Sequence, residues 1–269
     1  MIKTNFHTHT HYCDGMDTPE DLINEAVKKG FIAIGFSGHS YSYMDKSFAM
    51  SEENAAHYRR EINDLKSKYK SAIKIYCGIE QDYYSEMPIT GYDFVIGSVH
   101  NVLKDGGYMV VDDSPEHFAE NLDKFYGGDF DAFAEEYFVL LADVVNKTNA
   151  DIIGHIDLPL KNSEYIGYKP TKRFLDAAEK AVASLCKFSH PFEINTGAMA
   201  RGYRTVPYPI PEILDMIKKH DGKIVFSSDC HDKNYLDYGF EIAEKLARDA
   251  GFTEHGVITE SGVEYIAII

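Results

Sequence analysis

The chain has 269 residues, of which 44% are hydrophobic, and carries a formal net charge of −16. This length suits one large α/β domain or two small ones, and the acidity argues against duplex DNA as a partner, because that needs Lys and Arg to neutralise phosphates. No apolar run reaches the ~18 residues of a membrane helix, the four cysteines show no C-x-x-C spacing, and the first strand leaves no room for a signal peptide, so we expect a cytoplasmic protein with no membrane partner.

Short apolar runs alternate with longer helical stretches. The pattern predicts a first strand over residues 4–7. Thr18-Pro19-Glu20-Asp21 then opens a helix with an N-cap, a proline at the first helical position and early acids. A second strand is expected over 33–37, a helix from Ser51-Glu52-Glu53, and strands over 73–79 and 94–98. Lys104-Asp105-Gly106-Gly107 reads as a hairpin turn in an insertion after the fourth strand. Ser114-Pro115-Glu116 starts another helix, and 131–147 reads as one long amphipathic helix. Strands over 152–155, 192–195 and 223–228 alternate with helices over 176–187, from Pro211-Glu212, and over 241–250. The tail, 256–269, holds one or two strand-like runs expected to pack on the rest. Seven β-then-α units in a row predict a parallel α/β barrel, one unit short of the usual eight. No internal repeat or linker interrupts them, so residues 1–269 are read as a single domain.

The chemistry-bearing residues fall where these strands stop. They are His7, His9, His39, Glu80, His100, His155, Asp229 and His231, with Asp14 in the loop after the first strand. Side chains two apart on a strand share a face. The imidazoles of His7 and His9 can therefore reach one ion, and Asp229-x-His231 repeats the spacing. Nine donors exceed the four that one zinc takes, so a polynuclear centre of two or three ions sharing a bridging carboxylate is the leading reading. Active sites of parallel barrels lie at the C-terminal strand ends, where these donors fall. Only the sixth strand, which leads into Glu193-Ile194-Asn195-Thr196-Gly197, lacks one.

Taken in order, the motifs His7-Thr8-His9-Thr10 with Asp14-Gly15, Gly38-His39, Gly78-Ile79-Glu80, Gly97-Ser98-Val99-His100, Gly154-His155-Ile156-Asp157 and Ser228-Asp229-Cys230-His231 resemble the PHP (polymerase and histidinol phosphatase) superfamily. The resemblance covers nearly the whole chain. It implies a single PHP domain with a distorted (β/α)7 barrel and a trinuclear site of zinc, iron or manganese. The length, and the segment from Glu193 through Arg201 to Tyr208-Pro209, resemble the monofunctional histidinol-phosphate phosphatases. That implies hydrolysis of L-histidinol phosphate to L-histidinol and phosphate, in histidine biosynthesis. Phosphoesterases acting on nucleotides, nucleic acid or phosphotyrosine are the alternative within the superfamily. Carried over, the resemblance places His7, His9, Glu80 and Asp229 on a first metal. Glu80 bridges to a second, held with His100 and His155, and Asp14, His39 and His231 hold a third. His11 is a rival to Asp14.

Three divalent ions would outweigh the carboxylates of Asp14, Glu80 and Asp229 and leave a positive pocket in an acidic protein. Such a pocket suits a small-molecule phosphate monoester. A metal-bridging hydroxide would act as nucleophile, and Asp229 would orient the water or take its proton. Asp229, Glu80 and His231 form the expected catalytic set. Arg201, Arg204 and Lys161 are the expected phosphate contacts, since arginine matches phosphate in bidentate fashion. Asp157 is read as a support for a ligand histidine, as a contact for the substrate amine or as a structural cap. Tyr41, Tyr43 and Phe48 are candidate pocket walls, and Cys13 and Cys230 are small packing residues.

Overall fold

A computed structural model describes residues 2–44 and 46–268. Its central strands are β1 (Thr4–Asn5), β2 (Ala33–Phe36), β3 (Lys74–Asp82) and β4 (Phe94–Ser98). A hairpin follows, β5 (Asn101–Lys104) and β6 (Gly107–Val110). The sheet then resumes with β7 (Ile152–Ile153), β8 (Pro191–Asn195) and β9 (Lys223–Ser227). A second hairpin, β10 (Glu254–Thr259) and β11 (Gly262–Ala267), ends the described chain.

Seven parallel strands run in the order β1-β2-β3-β4-β7-β8-β9. Beyond β1 and β9 the two edges meet: Thr8 bridges Cys230 in parallel, His9 N–H donates to the Cys230 carbonyl at 2.8 Å, and Cys230 N–H donates to the His7 carbonyl at 3.2 Å. Asn5 reinforces the seam, its Nδ2 donating to Ser228 Oγ at 2.6 Å. The fold is a distorted (β/α)7 barrel, and the expected strands are all present.

The expected helix starts are capped as their residues dictate. Thr18 accepts from Asp21 N–H ahead of Pro19–Lys28, Ser51 from Asn54 N–H ahead of Glu52–Tyr69, and Ser114 from His117 N–H ahead of Pro115–Tyr126. In the first hairpin Asp105 and Gly106 both have positive φ, the pairing that a two-residue turn between twisted strands requires. Inside the barrel, Phe6, Tyr76, Phe94, Ile96, Ile152 and Val225 form one apolar cluster, and Val257 and Ile258 of β10 join it. The tail thus packs on the barrel as expected. Gly78 makes room for this cluster, because a Cβ there would sit 2.3 Å from the Phe94 ring.

Several details differ from the sequence reading; β7 stops at Ile153, two residues before His155, and the helix expected over 176–187 runs from Lys172 to Leu185. The first strand ends at Asn5, before His7. Glu80 lies inside β3, which runs two residues beyond it. The stretch 131–147 is two helices, Phe130–Leu141 and Val144–Thr148. The break falls at Ala142-Asp143, where the Asp143 carboxylate accepts from the Tyr83 hydroxyl and from Asn146. Hydrophobic period alone carries no mark of that side-chain capture.

Candidate metal centre

The donors converge at the C-terminal rim. Two donors each about 2.1 Å from one ion at the tetrahedral angle lie about 3.4 Å apart, and the separations here cluster around that value. His7 Nε2 lies 3.3 Å from Glu80 Oε2 and 3.6 Å from Asp229 Oδ1, and His9 Nε2 lies 3.7 and 3.2 Å from the same atoms. The other Glu80 oxygen, Oε1, lies 3.3 Å from His100 Nε2 and 3.1 Å from His155 Nε2. One carboxylate therefore faces two donor groups with different oxygens. A third group surrounds Asp14: its Oδ1 is 3.6 Å from His39 Nε2, and its Oδ2 is 3.3 Å from His231 Nε2.

The backbone explains the convergence. Thr8 sits between the ends of β2 and β9, so His7 and His9 project together as alternation demands. His39 bridges Glu80 across the ends of β2 and β3. Asp229 has φ 48°, a left-handed conformation that Asp accepts more readily than most residues. Gly197 faces it, where a Cβ would meet Asp229 Cβ at 2.7 Å and Oδ2 at 2.9 Å.

The electrostatics favour bound cations. Burial pushes the Glu80 carboxyl up, but His39, His7 and His100 outweigh it and hold the pKa well below the usual carboxylate range. Burial also opposes ionisation of Asp229, yet Arg201 and His7 keep its pKa well below normal. Burial lowers the His7 pKa, and the carboxylates of Glu193, Glu80 and Asp229 more than reverse that. His9 goes the other way: burial, then the charges of His231 and His39, push it down to about 3. A neutral imidazole is the form that ligates metal. The Nε2 atoms of His7 and His9 are buried and make no aligned hydrogen bond. Such orphaned buried atoms are costly unless something binds them, and in this setting a metal ion fits.

The other expected residues are placed as follows. His11 is exposed beside Tyr12 and joins none of the donor groups found among the described residues. Arg201 follows the short helix Gly197–Ala200, with Nη2 3.2 Å from Asp229 Oδ2 and Nη1 2.9 Å from His231 Nδ1. Lys161 is buried, and its Nζ lies 2.5 Å from Asp112 Oδ1. Arg204 is turned into the protein: its side chain is 2% exposed, faces Asp157 at 3.7 Å and stacks over Tyr208. Asp157 is itself fully buried, and its Oδ2 accepts from Ile210 N–H at 2.9 Å, just ahead of the helix Pro211–Lys219. Phe48 packs edge-on to His39 and, with Ser47, Asp112 and Asp113, lines a cleft of about 270 Å³ that opens onto Asp14, His39 and His100. Tyr43 is exposed beside the β5–β6 hairpin. The Cys230 thiol turns to the Asp232 carbonyl, and the Cys13 thiol lies 3.6 Å from His9 Nδ1.

Two supporting carboxylates escape motif reasoning. Glu193 Oε1 lies 2.7 Å from His7 Nδ1, and Asp82 Oδ2 lies 3.2 Å from His100 Nδ1. Each orients a donor imidazole through its second nitrogen. The available signal was an acid inside an apolar strand, as in Phe192-Glu193-Ile194, because a buried carboxylate needs partners.

A seven-stranded parallel barrel with this donor set at its C-terminal rim defines a metallohydrolase class. The PHP domain model matches residues 5–197, and the chain belongs to the PHP family. The histidinol-phosphatase of Bacillus subtilis (strain 168) is 26% identical over 264 residues, covering 90% of this chain and 98% of that protein. The crystal structure of a Listeria monocytogenes protein assigned as a histidinol phosphatase superposes with a TM-score of 0.80 at 22% identity, covering 89% of this chain and 99% of that one. That of histidinol phosphate phosphatase from Lactococcus lactis subsp. lactis, complexed with zinc, L-histidinol and phosphate, superposes with a TM-score of 0.69 at 22% identity, covering 97% and 98%.

Proposed function

We propose that this protein is a metal-dependent phosphomonoesterase that hydrolyses L-histidinol phosphate to L-histidinol and phosphate in histidine biosynthesis. The observation that carries the chemistry is Glu80, whose Oε1 faces His100 and His155 while its Oε2 faces His7, His9 and, at 2.8 Å, His39 Nδ1. The substrate follows from the full-length Bacillus subtilis relative and from the L-histidinol and phosphate bound in the Lactococcus lactis structure.

His7, His9, Glu80 and Asp229 would hold a first divalent ion, Glu80, His100 and His155 a second, and Asp14, His39 and His231 a third. The mixed imidazole and carboxylate donors suit zinc, iron or manganese. Bound there, the ions supply Lewis acidity toward the phosphoryl oxygens and acidify a water. Asp229 orients the attacking oxygen and holds its proton, and His231 stands behind it. Arg201, at the rim, binds phosphate oxygens. Lys161 supports that side through Asp112. Arg204, buried against Asp157, is the weakest of the three expected phosphate contacts. Residues 1–269 act as one PHP domain, consistent with the interior cluster shared by barrel and tail. Cytoplasmic residence fits the four free cysteines, and no described helix is long and apolar enough to cross a membrane.

The test is phosphate release from L-histidinol phosphate, compared with cleavage of bis-p-nitrophenyl phosphate, each with and without chelator. We expect turnover of the monoester, abolished by chelation. Cleavage of the diester alone would move the assignment to a nucleotide or nucleic-acid phosphodiesterase. Full activity in metal-free protein would refute the metal reading.

A further inference from the structure

Glu193 comes from β8, the one barrel strand that contributes no metal donor, yet it is 1% exposed and tied to two donor groups at once. Its Oε1 accepts from His7 Nδ1 at 2.7 Å and from the Ser227 hydroxyl at 2.8 Å. Its Oε2 accepts from the His155 backbone N–H at 3.0 Å and from Asn195 Nδ2 at 3.2 Å. The Asn195 amide cannot be reversed without loss, because its Oδ1 already accepts from Gly197 N–H at 2.9 Å. Both groups facing Oε2 are therefore donors. On the other side, His7 must carry its proton on Nδ1 if Nε2 is to offer a lone pair toward Glu80 and Asp229. Only an ionised carboxylate, which accepts at both oxygens, suits these surroundings.

We propose that Glu193 is a positioning residue that couples the first two metal positions. It fixes the tautomer and ring of His7 for one, and the backbone that carries His155 for the other. The proposal rests on the metal assignment above. It goes beyond that assignment in making one carboxylate, which touches neither ion, a condition for both.

Glutamine at this position has nearly the same shape but cannot satisfy the site. With its NH2 toward His7, donor meets donor at Nδ1. With its NH2 toward His155, donor meets two donors. Glu193→Gln should weaken zinc binding at both positions, on the order of 10–100-fold each, the range for loss of an outer-sphere partner. Ser227→Ala removes one donor and leaves the carboxylate on His7, so it should bind zinc as the wild type does.

The experiment is zinc titration of the full-length protein against a chromophoric chelator, with zinc content after gel filtration and the melting temperature of the metal-free form. We expect E193Q to retain fewer zinc equivalents, with at least two affinities lowered, while its metal-free melting temperature stays near wild type. Glu193→Asp keeps the charge but draws it back from His7, and it should show the same loss in smaller measure. It serves if E193Q does not fold. Wild-type zinc affinities in folded E193Q or E193D would overturn the proposal, as would loss at one position alone. A wild-type protein that takes up no zinc, iron or manganese would instead sink the metal assignment itself.

Discussion

Gly197→Ala adds a single methyl group about 2.7 Å from Asp229 Cβ and 2.9 Å from its Oδ2. Gly197 opens a short helix and lacks positive φ, so its backbone accepts alanine and the whole effect is steric. Restoring carbon contact to about 3.5–4 Å requires a retreat of roughly 1 Å, shared between Asp229 and the helix that carries Arg201. Overpacking costs about 1–3 kcal/mol, and the stiffer unfolded chain returns about 0.4–1 kcal/mol. The net change in melting temperature should be a few degrees at most for a chain of this size. Catalysis should suffer far more, because a misplacement of about 1 Å costs about 100-fold. The assay is phosphate release at saturating L-histidinol phosphate, with metal content and melting temperature measured on the same sample. A folded variant with wild-type kcat would refute the argument that Asp229 needs its present position.

Glu80→Ala should rank among the most damaging substitutions, because it removes the carboxylate shared by two donor groups; near-normal activity and metal content would dismiss the bridge. Arg201→Ala should lower kcat/KM by about 1.5–3 kcal/mol in transition-state stabilisation, the range for hydrogen bonds to charged groups. Metal content should hold, and Arg201→Lys should recover only part, since a point charge does not replace the fork; an unchanged kcat/KM would make Arg201 a mere rim charge. In metal-free protein the pKa values of His7, His39 and His100 are raised above 6.5, each against its own burial, chiefly by carboxylates such as Glu193 for His7 and Glu80 for His39 and His100. Their stabilisation is complete below the unfolded value near 6.5 and is lost as pH rises through the folded values. His9, with its lowered pKa, acts only between about 3 and 6.5 and does not oppose this. The melting temperature of chelated protein should therefore fall as pH rises above about 6.5, whereas metal-loaded protein should hold or gain. Parallel melting curves for the two forms would contradict the charge reading.

Much of this site could be read from spacing because the barrel converts strand ends into a ring. His7 and His9 lie beyond the last residue of β1, but the Thr8 bridge preserves their alternation, so the inference from i, i+2 survives a misplaced boundary. Of Asp14 and its rival His11, the structure sets Asp14 among His9, His39 and His231. The rest was illegible for physical reasons. Glu193 and Asp82 act through nitrogens that face away from the donor centre, a relation with no sequence period. Arg204 lies three residues after Arg201, yet one guanidinium reaches the rim and the other is buried against Asp157. No rule of composition separates them, because the chain folds back between them to bring Tyr208 beside Asn195.

The seam between the two edges of the barrel sets an order of events in time. His7 and His9 leave the ribosome first, whereas Asp229 and His231 follow more than two hundred residues later. At about 5–20 residues per second, the early histidines wait roughly ten to forty seconds for their partners. A zinc finger gathers its ligands from one short stretch and folds around the ion. Here His7 and His9 share no neighbourhood with Asp229 and His231 until Thr8 meets Cys230 across the closing seam. Loading of the first and third metal positions, which need Asp229 or His231, thus belongs to the finished molecule.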